Sequence, residues 1–384
     1  MKKMISSILF VCLMFFALCA PSLAVNEGAV EIKAKAAVLM DASSGEVLFS
    51  QNENERLYPA SVTKIMPMLL FMEALDSGKI SLSDTVTTSA NAASKGGSQI
   101  WLKEGETMTV EEMLKATAIG SANDAVTALG EYIAGSESSF VKAMNERAAQ
   151  LGMKNTNFEN CSGLDDDTTN HLTTAYDIAV MSRELLKHKK ITDYTTVWMD
   201  SLRSGATQLV NTNRLVRFYN GTTGLKTGTT SKAGHCLSAS AERDGLHLIA
   251  VIMGASNSTD RFEGAKAMLN WGFANYETFT PQIDSSALRP VKILKGVEEW
   301  VTPEFGDIKS LTLKNGEKDK IEFYVELAED VEAPVEKGQV LGKIALKTGE
   351  KTVAEYNLVC RDGVERITLK KIMSRIVKSL SKSL

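Results

Sequence analysis

Strand-forming segments stand at two well-separated places in the first 275 residues, with helical segments between them. Residues 33–51 read as a hairpin, KAAVLMD and EVLFSQ around the turn residues Ala42-Ser43-Ser44-Gly45. Apolar residues then recur at helical spacing over about 61–77, 109–119, 122–134, 137–151 and 173–187. Strand patterns return near 198–210, 222–228, 235–243 and 246–254, and a helix over about 260–271 closes the region. A lone hairpin is at best marginally stable in water. Strands at both ends with helices between therefore predict one sheet with helices packed on it, an α+β layered domain.

A chain of 384 residues is long enough for more than one core. Its character changes after about residue 276: Pro281, Pro290, Pro303 and Pro334 all lie beyond that point. Short strand patterns alternate there with turns such as Lys314-Asn315-Gly316 and Glu336-Lys337-Gly338, which predicts a small all-β domain. The two ends are different again. Lys2 and Lys3 precede an apolar run, Ile5 to Ala20, and Ser22-Leu23-Ala24 offers small residues for cleavage. That reads as a secretory signal peptide cut after Ala24, because the run is short for a membrane span. From Arg366 the chain reads RITLKKIMSRIVKSLSKSL, with Leu369, Ile372, Met373, Ile376, Val377 and Leu380 on one helical face and lysines and arginines elsewhere. A basic amphipathic helix on an exported protein suits the outer, extracytoplasmic surface of an anionic cytoplasmic membrane better than a helix docked on its own domain. The expected segments are 1–24 signal peptide, 25–275 α+β domain, 276–365 all-β domain and 366–384 membrane-anchoring helix.

A net charge of −4 argues against nucleic acid as a partner. Cys161, Cys236 and Cys360 do not make a disulfide framework; a Cys161–Cys236 pair is open, with small buried residues the preferred reading. The four histidines show no metal-ligand spacing, and no phosphate-binding Gly-x-x-x-x-Gly-Lys loop occurs, so no cofactor is expected. Asp165-Asp166-Asp167 lacks the alternation and central glycine of a calcium loop and reads as a solvated surface turn.

The chemistry-bearing candidates are three short motifs. Ser-x-x-Lys occurs three times, at Ser61/Lys64, Ser139/Lys142 and Ser379/Lys382. A serine hydroxyl needs a base to become a nucleophile, and a lysine three residues on in a helix shares its face. That lysine must be neutral part of the time, which needs burial or a nearby cation. Ile65, Met66 and Met68 give Lys64 an apolar setting, whereas Ser379/Lys382 lies in the basic tail. Pro59 fits a helix starting about Ser61, whose free N–H groups favour negative charge. Pro67 would then fall inside that helix and bend it. Ser-Ala-Asn occurs at Ser89–Asn91 and Ser121–Asn123. The second follows Gly120 at a break between two apolar helices, while Ser89 reads as a helix cap. Lys-Thr-Gly occurs at Lys226–Gly228 and Lys347–Gly349. The first has a glycine on a strand, where a ligand backbone can approach closely; Gly349 reads as a hairpin turn.

Ser-x-x-Lys, Ser-x-Asn and Lys-Thr-Gly, in that order, are the signature set of penicillin-binding proteins and class A β-lactamases. With YPASVTK, SANDA, GLKTGTTSKAGHCLSASA and NFENCSGLDDDTTNHLTTAYDIA, the chain resembles the serine D-alanyl-D-alanine carboxypeptidases, the low-molecular-mass penicillin-binding proteins, from about residue 30 onward. The resemblance implies a β-lactamase/transpeptidase-like catalytic domain with an antiparallel sheet. It implies peptidoglycan stem peptides ending in D-Ala-D-Ala as substrate and β-lactam antibiotics as acylating ligands. Carried over, Ser61 is the nucleophile, Lys64 the general base and Ser121 a proton relay. Asn123 would bind the peptide amide, and Lys226 would lower the pKa of Lys64 and add positive potential. Thr227, Thr229 and Arg261 would hold the terminal carboxylate, beside Gly228. The N–H groups of Ser61 and Thr229 would form the oxyanion hole. Ala122 stands where the family often carries glycine, a small change. Arg261 could equally serve only to cap its own helix, and His171 reads as structural.

Two other classes compete. A class A β-lactamase would carry a deacylating glutamate in a Glu-x-x-x-Asn loop between the second and third motifs, and none is present there. A decayed peptidoglycan-binding protein would have lost polar groups that this chain retains.

Overall fold

The computed structural model describes residues 30–282 and 288–380; the signal-peptide segment 1–24 and Lys382 of the tail motif lie outside them. Its first part is built on a five-stranded antiparallel sheet. The strands are β1 (Ala36–Asp41), β2 (Val47–Gln51), β3 (Thr222–Thr230), β4 (Gly234–Arg243) and β5 (Leu246–Ala255), in the order β2-β1-β5-β4-β3. The N-terminal hairpin thus pairs with the last strand of the later set, Val38 opposite Val251. The strand pattern near 198–210 forms a separate ribbon instead, Met199–Leu202 with Thr207–Val210, outside the main sheet.

Between the hairpin and the returning strands lie α1 (Ile65–Asp76), α2 (Val110–Ala118), α3 (Asn123–Ala134), α4 (Glu137–Gln150) and α5 (Ala175–Lys187). After the sheet comes α6 (Ser258–Asn275). Most of these helices start at a side chain suited to the task. Thr109, Ser136, Thr174 and Asn257 each accept a hydrogen bond from a free N–H of the first turn. The central α1 is apolar up to its last turn, and Ile65, Met66, Met68, Leu69, Phe71 and Met72 are all buried; its polar residues, Glu73 and Asp76, stand near its C-terminal end.

Alternation along the strands separates the two faces of the sheet. Val38, Met40, Ile249, Val251 and Met253 join the large core shared with the helices. Leu39, Leu248 and Ile252 meet α6 on the other face, where Gly264 and Gly272 let the helix approach. The result is three layers, with β3 at an edge. Its paired neighbour is β4, and its other side has no strand partner among the described residues.

The C-terminal part is all-β. Strand β6 (Tyr276–Phe279) follows α6 directly and pairs with Leu311–Lys314, whose Thr312 hydroxyl donates to the buried Asp41 carboxylate at 2.7 Å. A long hairpin, Val340–Thr348 with Lys351–Val359, forms the middle of a four-stranded sheet, and Gly349 sits in its turn. The final helix spans Leu369–Leu380. Leu369, Ile372, Met373, Ile376 and Val377 are all exposed on it, so its apolar face is not docked on the rest of the chain. Among the described residues no helix is long and apolar enough to cross a membrane.

The helical layer is closed by Phe140 of α4, which stacks on Phe71 of α1 with ring centroids 5.5 Å apart and covers Gly130 of α3. Truncation there opens a large cavity among three helices. Phe140→Ala should destabilise the chain by about 3–5 kcal/mol in guanidinium unfolding; a loss under about 1 kcal/mol would remove Phe140 from this role.

Candidate active site

The segment from Ala60 to Lys64 is a turn of 3-10 helix, and α1 begins only at Ile65. This differs from the expected single helix from Ser61, and it accounts for Pro67. The proline stands in the first turn of α1, where an N–H has no intrahelical partner to lose. The expected bend is replaced by a change of helix type. Spacing of three residues in this turn still stacks Ser61 and Lys64.

Lys64 is fully buried. Its Nζ donates to Ser61 Oγ (3.0 Å), Asn123 Oδ1 (2.6 Å) and the Ser162 carbonyl (2.7 Å). Desolvation pushes the ammonium down to about 7, against smaller opposing effects of Cys161 and Asp124. Lys226, also fully buried, lies well below its ordinary value, first through desolvation, then through repulsion by Lys64 and Arg261. Burial is thus the first cause at both lysines, and their mutual repulsion further favours the loss of a proton from the pair. The Lys226 Nζ donates to the Thr227 carbonyl at 2.9 Å.

The second motif fills the break between α2 and α3. Ser121 has φ of 63°, in the left-handed region that non-glycine residues rarely occupy. Asn123 opens α3; its N–H donates to the Ser98 carbonyl (2.6 Å) and its Nδ2 to the Gly96 carbonyl (2.7 Å). The neighbouring Asp124 carboxylate is buried and accepts the N–H groups of Ile100 and Leu102. These bonds fix the loop before α2 against the motif.

The third motif lies on the edge strand β3, alongside the nucleophile turn. A Cβ on Gly228 would stand 2.8 Å from both the Ser61 nitrogen and the Pro59 carbonyl oxygen, so only glycine fits. Thr227 Oγ1 donates to Thr212 Oγ1 at 2.7 Å. The Thr229 hydroxyl donates to the Gly228 carbonyl and lies 3.3 Å from His235 Nδ1. Behind the strand, Arg261 Nη1 donates to the Gly228 carbonyl (3.1 Å), Thr229 Oγ1 (3.2 Å) and the Cys236 carbonyl (3.2 Å), while Nη2 reaches Ser258 Oγ. Arg261 therefore serves both its own helix and the strand.

The structure brings Ser61, Lys64 and Asn123 into direct contact and lays Gly228 against Ser61. The duplicate motifs go elsewhere. Ser89 caps a short helix by accepting from the Ala92 N–H, and Lys142 pairs with Glu146 on an exposed face. Lys347 lies over the Tyr324 ring in the C-terminal part. Cys161 and Cys236 are both free and buried.

The loop between α4 and α5 was the part least legible in the sequence. Its Ser162 carbonyl holds Lys64, and a Cβ on Gly163 (φ 85°) would overlap the Ala60 carbonyl. Asp165 is buried, not a solvated turn residue as its sequence context suggested. Its carboxylate accepts from the Thr230 hydroxyl, and its carbonyl from Lys232 Nζ. The signal available was Ser162-Gly163 beside a polar run between two helices, where glycine marks a close approach.

His171 closes this loop. Its Nδ1 accepts from the Glu159 N–H (2.9 Å), so Nε2 carries the proton and donates to Thr63 Oγ1 (2.8 Å). Burial pushes its pKa down to about 4 from 6.5. Between those values the unfolded chain binds a proton that the folded chain excludes, so stability falls as pH drops from 6.5 toward 4. Melting temperature against pH should show this slope, and His171→Asn should flatten it. An unchanged slope in the variant would remove His171 as its source.

Comparison with known proteins gives the same chemistry a lineage. The family model described as D-alanyl-D-alanine carboxypeptidase matches residues 23–257, and that of the penicillin-binding protein 5 C-terminal domain matches 276–366. The chain is 44% identical to the D-alanyl-D-alanine carboxypeptidase DacF of Bacillus subtilis over 87% of its own length and 86% of the relative's. Penicillin binding protein 5 from Haemophilus influenzae superposes with a TM-score of 0.78 at 31% identity, covering 88% of this chain and 99% of that one. Penicillin-binding protein D2 from Listeria monocytogenes, solved in an ampicillin-bound form, superposes at 0.59 with 30% identity over 64% of this chain and 99% of that one. The α+β sheet with its motif-bearing edge strand, the all-β part that follows and these matches make the chain a member of the D-alanyl-D-alanine carboxypeptidase family, the low-molecular-mass penicillin-binding proteins.

Proposed function

We propose that this serine peptidase removes the terminal D-alanine from peptidoglycan pentapeptides through an acyl-enzyme on Ser61, and that β-lactams acylate the same hydroxyl. The observation carrying this reading is the contact of Ser61 Oγ with a buried lysine whose pKa is depressed to about 7. Neutral Lys64 takes the Ser61 proton as Oγ attacks the carbonyl carbon of the penultimate D-alanine. The oxyanion is received by the N–H groups of Ser61 and Thr229, usually a large term in acyl transfer. The proton passes by way of Ser121 to the departing amine, and the C–N bond breaks. Water then attacks the ester and frees Ser61.

Substrate positioning falls to the edge strand. A peptide lying along the open side of β3 adds to the sheet, with Asn123 facing its amide from the opposite wall. Thr227 and Thr229 hold the terminal carboxylate, with Lys226 and Arg261 beside it; the Arg261 contact to Thr229 Oγ1 supports that assignment.

Peptidoglycan lies outside the cytoplasmic membrane, so the enzyme acts extracytoplasmically. Residues 1–24 serve as the export signal, 25–275 as the catalytic domain, 276–365 as an all-β spacer and 366–384 as the membrane attachment. The exposed apolar face of the last helix, flanked by Lys370, Lys371 and Arg375, supports attachment to anionic lipid.

A fluorescent penicillin should label the wild-type chain and not Ser61→Ala, and Lys64→Ala should lose D-alanine release from a muramyl-pentapeptide analogue. Acylation should rise with pH through a midpoint near 7, because the base form of Lys64 grows above its pKa. Absence of wild-type labelling would sink the enzymatic reading. In sedimentation with anionic vesicles, the mature chain should bind and a chain ending at Glu365 should not; equal binding would reject the helix as anchor.

A further inference from the structure

Strand β3 has an awkward mechanical position. It is paired along one side with β4, and its other side must stay open for a substrate backbone. Its last residues, Thr229 and Thr230, would therefore be free to fray at the place where an oxyanion donor is required. The hairpin turn beyond it is exposed at Ser231 and Lys232, and only Ala233 of the turn packs into the core.

The α4–α5 loop supplies what the sheet lacks. The buried Asp165 carboxylate accepts from Thr230 Oγ1, which itself accepts from the Ala233 N–H at 3.0 Å. Lys232 of the turn reaches back to the Asp165 carbonyl and, at 3.3 Å, to the Thr168 carbonyl. The Lys232 ammonium also lies 5.4 Å from the centre of the Tyr58 ring, three residues before Ser61. The same loop is tied to the nucleophile side: Ser162 accepts from Lys64, and Gly163 lies against the Ala60 carbonyl. Asn160 Oδ1 stiffens the loop between these points by accepting the N–H groups of Ser162 and Gly163.

We propose that Asp165 and Thr230 form a clasp that fixes the end of β3 against the nucleophile turn, and so sets the separation of the Ser61 and Thr229 N–H groups. Both are positioning residues, and the inference rests on the acyl-enzyme reading above. Its consequence is selective. Thr229 shares the proposed carboxylate contacts with Thr227, Lys226 and Arg261, whereas its N–H is one of only two proposed oxyanion donors, so releasing the clasp costs the transition state far more than the ground state. Loss then falls on the acylation step and not on prior binding.

Stopped-flow acylation by a chromogenic cephalosporin separates the two quantities. Thr230→Val and Asp165→Ala should each slow acylation about ten- to a hundredfold, the scale for misplacing a catalytic group by about an ångström. Noncovalent affinity should stay within about twofold, and Thr230→Ser, which keeps the hydroxyl, should react like wild type. Since both residues act through one bond, the double variant should be no slower than the slower single one. Unchanged acylation, a loss confined to noncovalent affinity, or effects that multiply in the double variant would each overturn the clasp. If Asp165→Ala does not fold, the comparison of Thr230→Val with Thr230→Ser decides. A wild-type chain that is not acylated would instead overturn the acyl-enzyme reading and the clasp with it.

Discussion

A lysine side chain taken wholly out of water must either find acceptors or give up its proton, and at Lys64 the fold does something of each. Its Nζ meets acceptors from three separate parts of the chain, the nucleophile turn, the start of α3 and the α4–α5 loop. Misplacing any of them would leave a buried cation unsatisfied, which is expensive in a medium that cannot solvate it. The burial that lowers the pKa thus also forces these segments into register. Around Lys64, structural necessity and chemical usefulness come from the same desolvation.

That convergence leaves little room for ordinary backbone. Ala60 and Ser121 both have positive φ, at 49° and 63°, and both stand at the motifs. Strain of this kind persists where the surroundings over-determine a residue. Here the surroundings include two glycines from distant segments, Gly163 and Gly228, whose missing side chains let their backbones lie against the nucleophile turn. The motif glycine on β3 therefore has a steric reason independent of any ligand. The all-β part meets the first domain at β6, at the Asn315 bonds to the Ala274 and Asn275 carbonyls and at the Thr312–Asp41 bond at the end of β1.

Much of this was legible in the residues. The strand and helix segments follow from period and punctuation. The duplicate motifs were separable by context, since Ser89 caps a helix and Gly349 turns a hairpin. What failed to show did so for a common reason. Asp165 looked solvated because it stands in a run of three aspartates, and its burial depends on Thr230 and Lys232, more than sixty residues away. Pro67 looked like a helix breaker because sequence spacing does not distinguish a 3-10 turn followed by an α-helix from one continuous helix.

By itself the sequence determined which residues could act together locally. Three-residue spacing puts Ser61 and Lys64 on one face in either type of helix, because adjacent turns stack whatever surrounds them. It also determined the order of the motifs and the near-continuous apolar runs of β1 and β5, which suit strands covered on both faces. Only the tertiary structure decided that Lys64 is dry, that Asn123 and Ser162 accept its hydrogen bonds, and that β3 runs past Ser61 closely enough to require Gly228. Desolvation and close approach are properties of what surrounds a residue, and here the surroundings come from segments about 60 to 170 residues away along the chain.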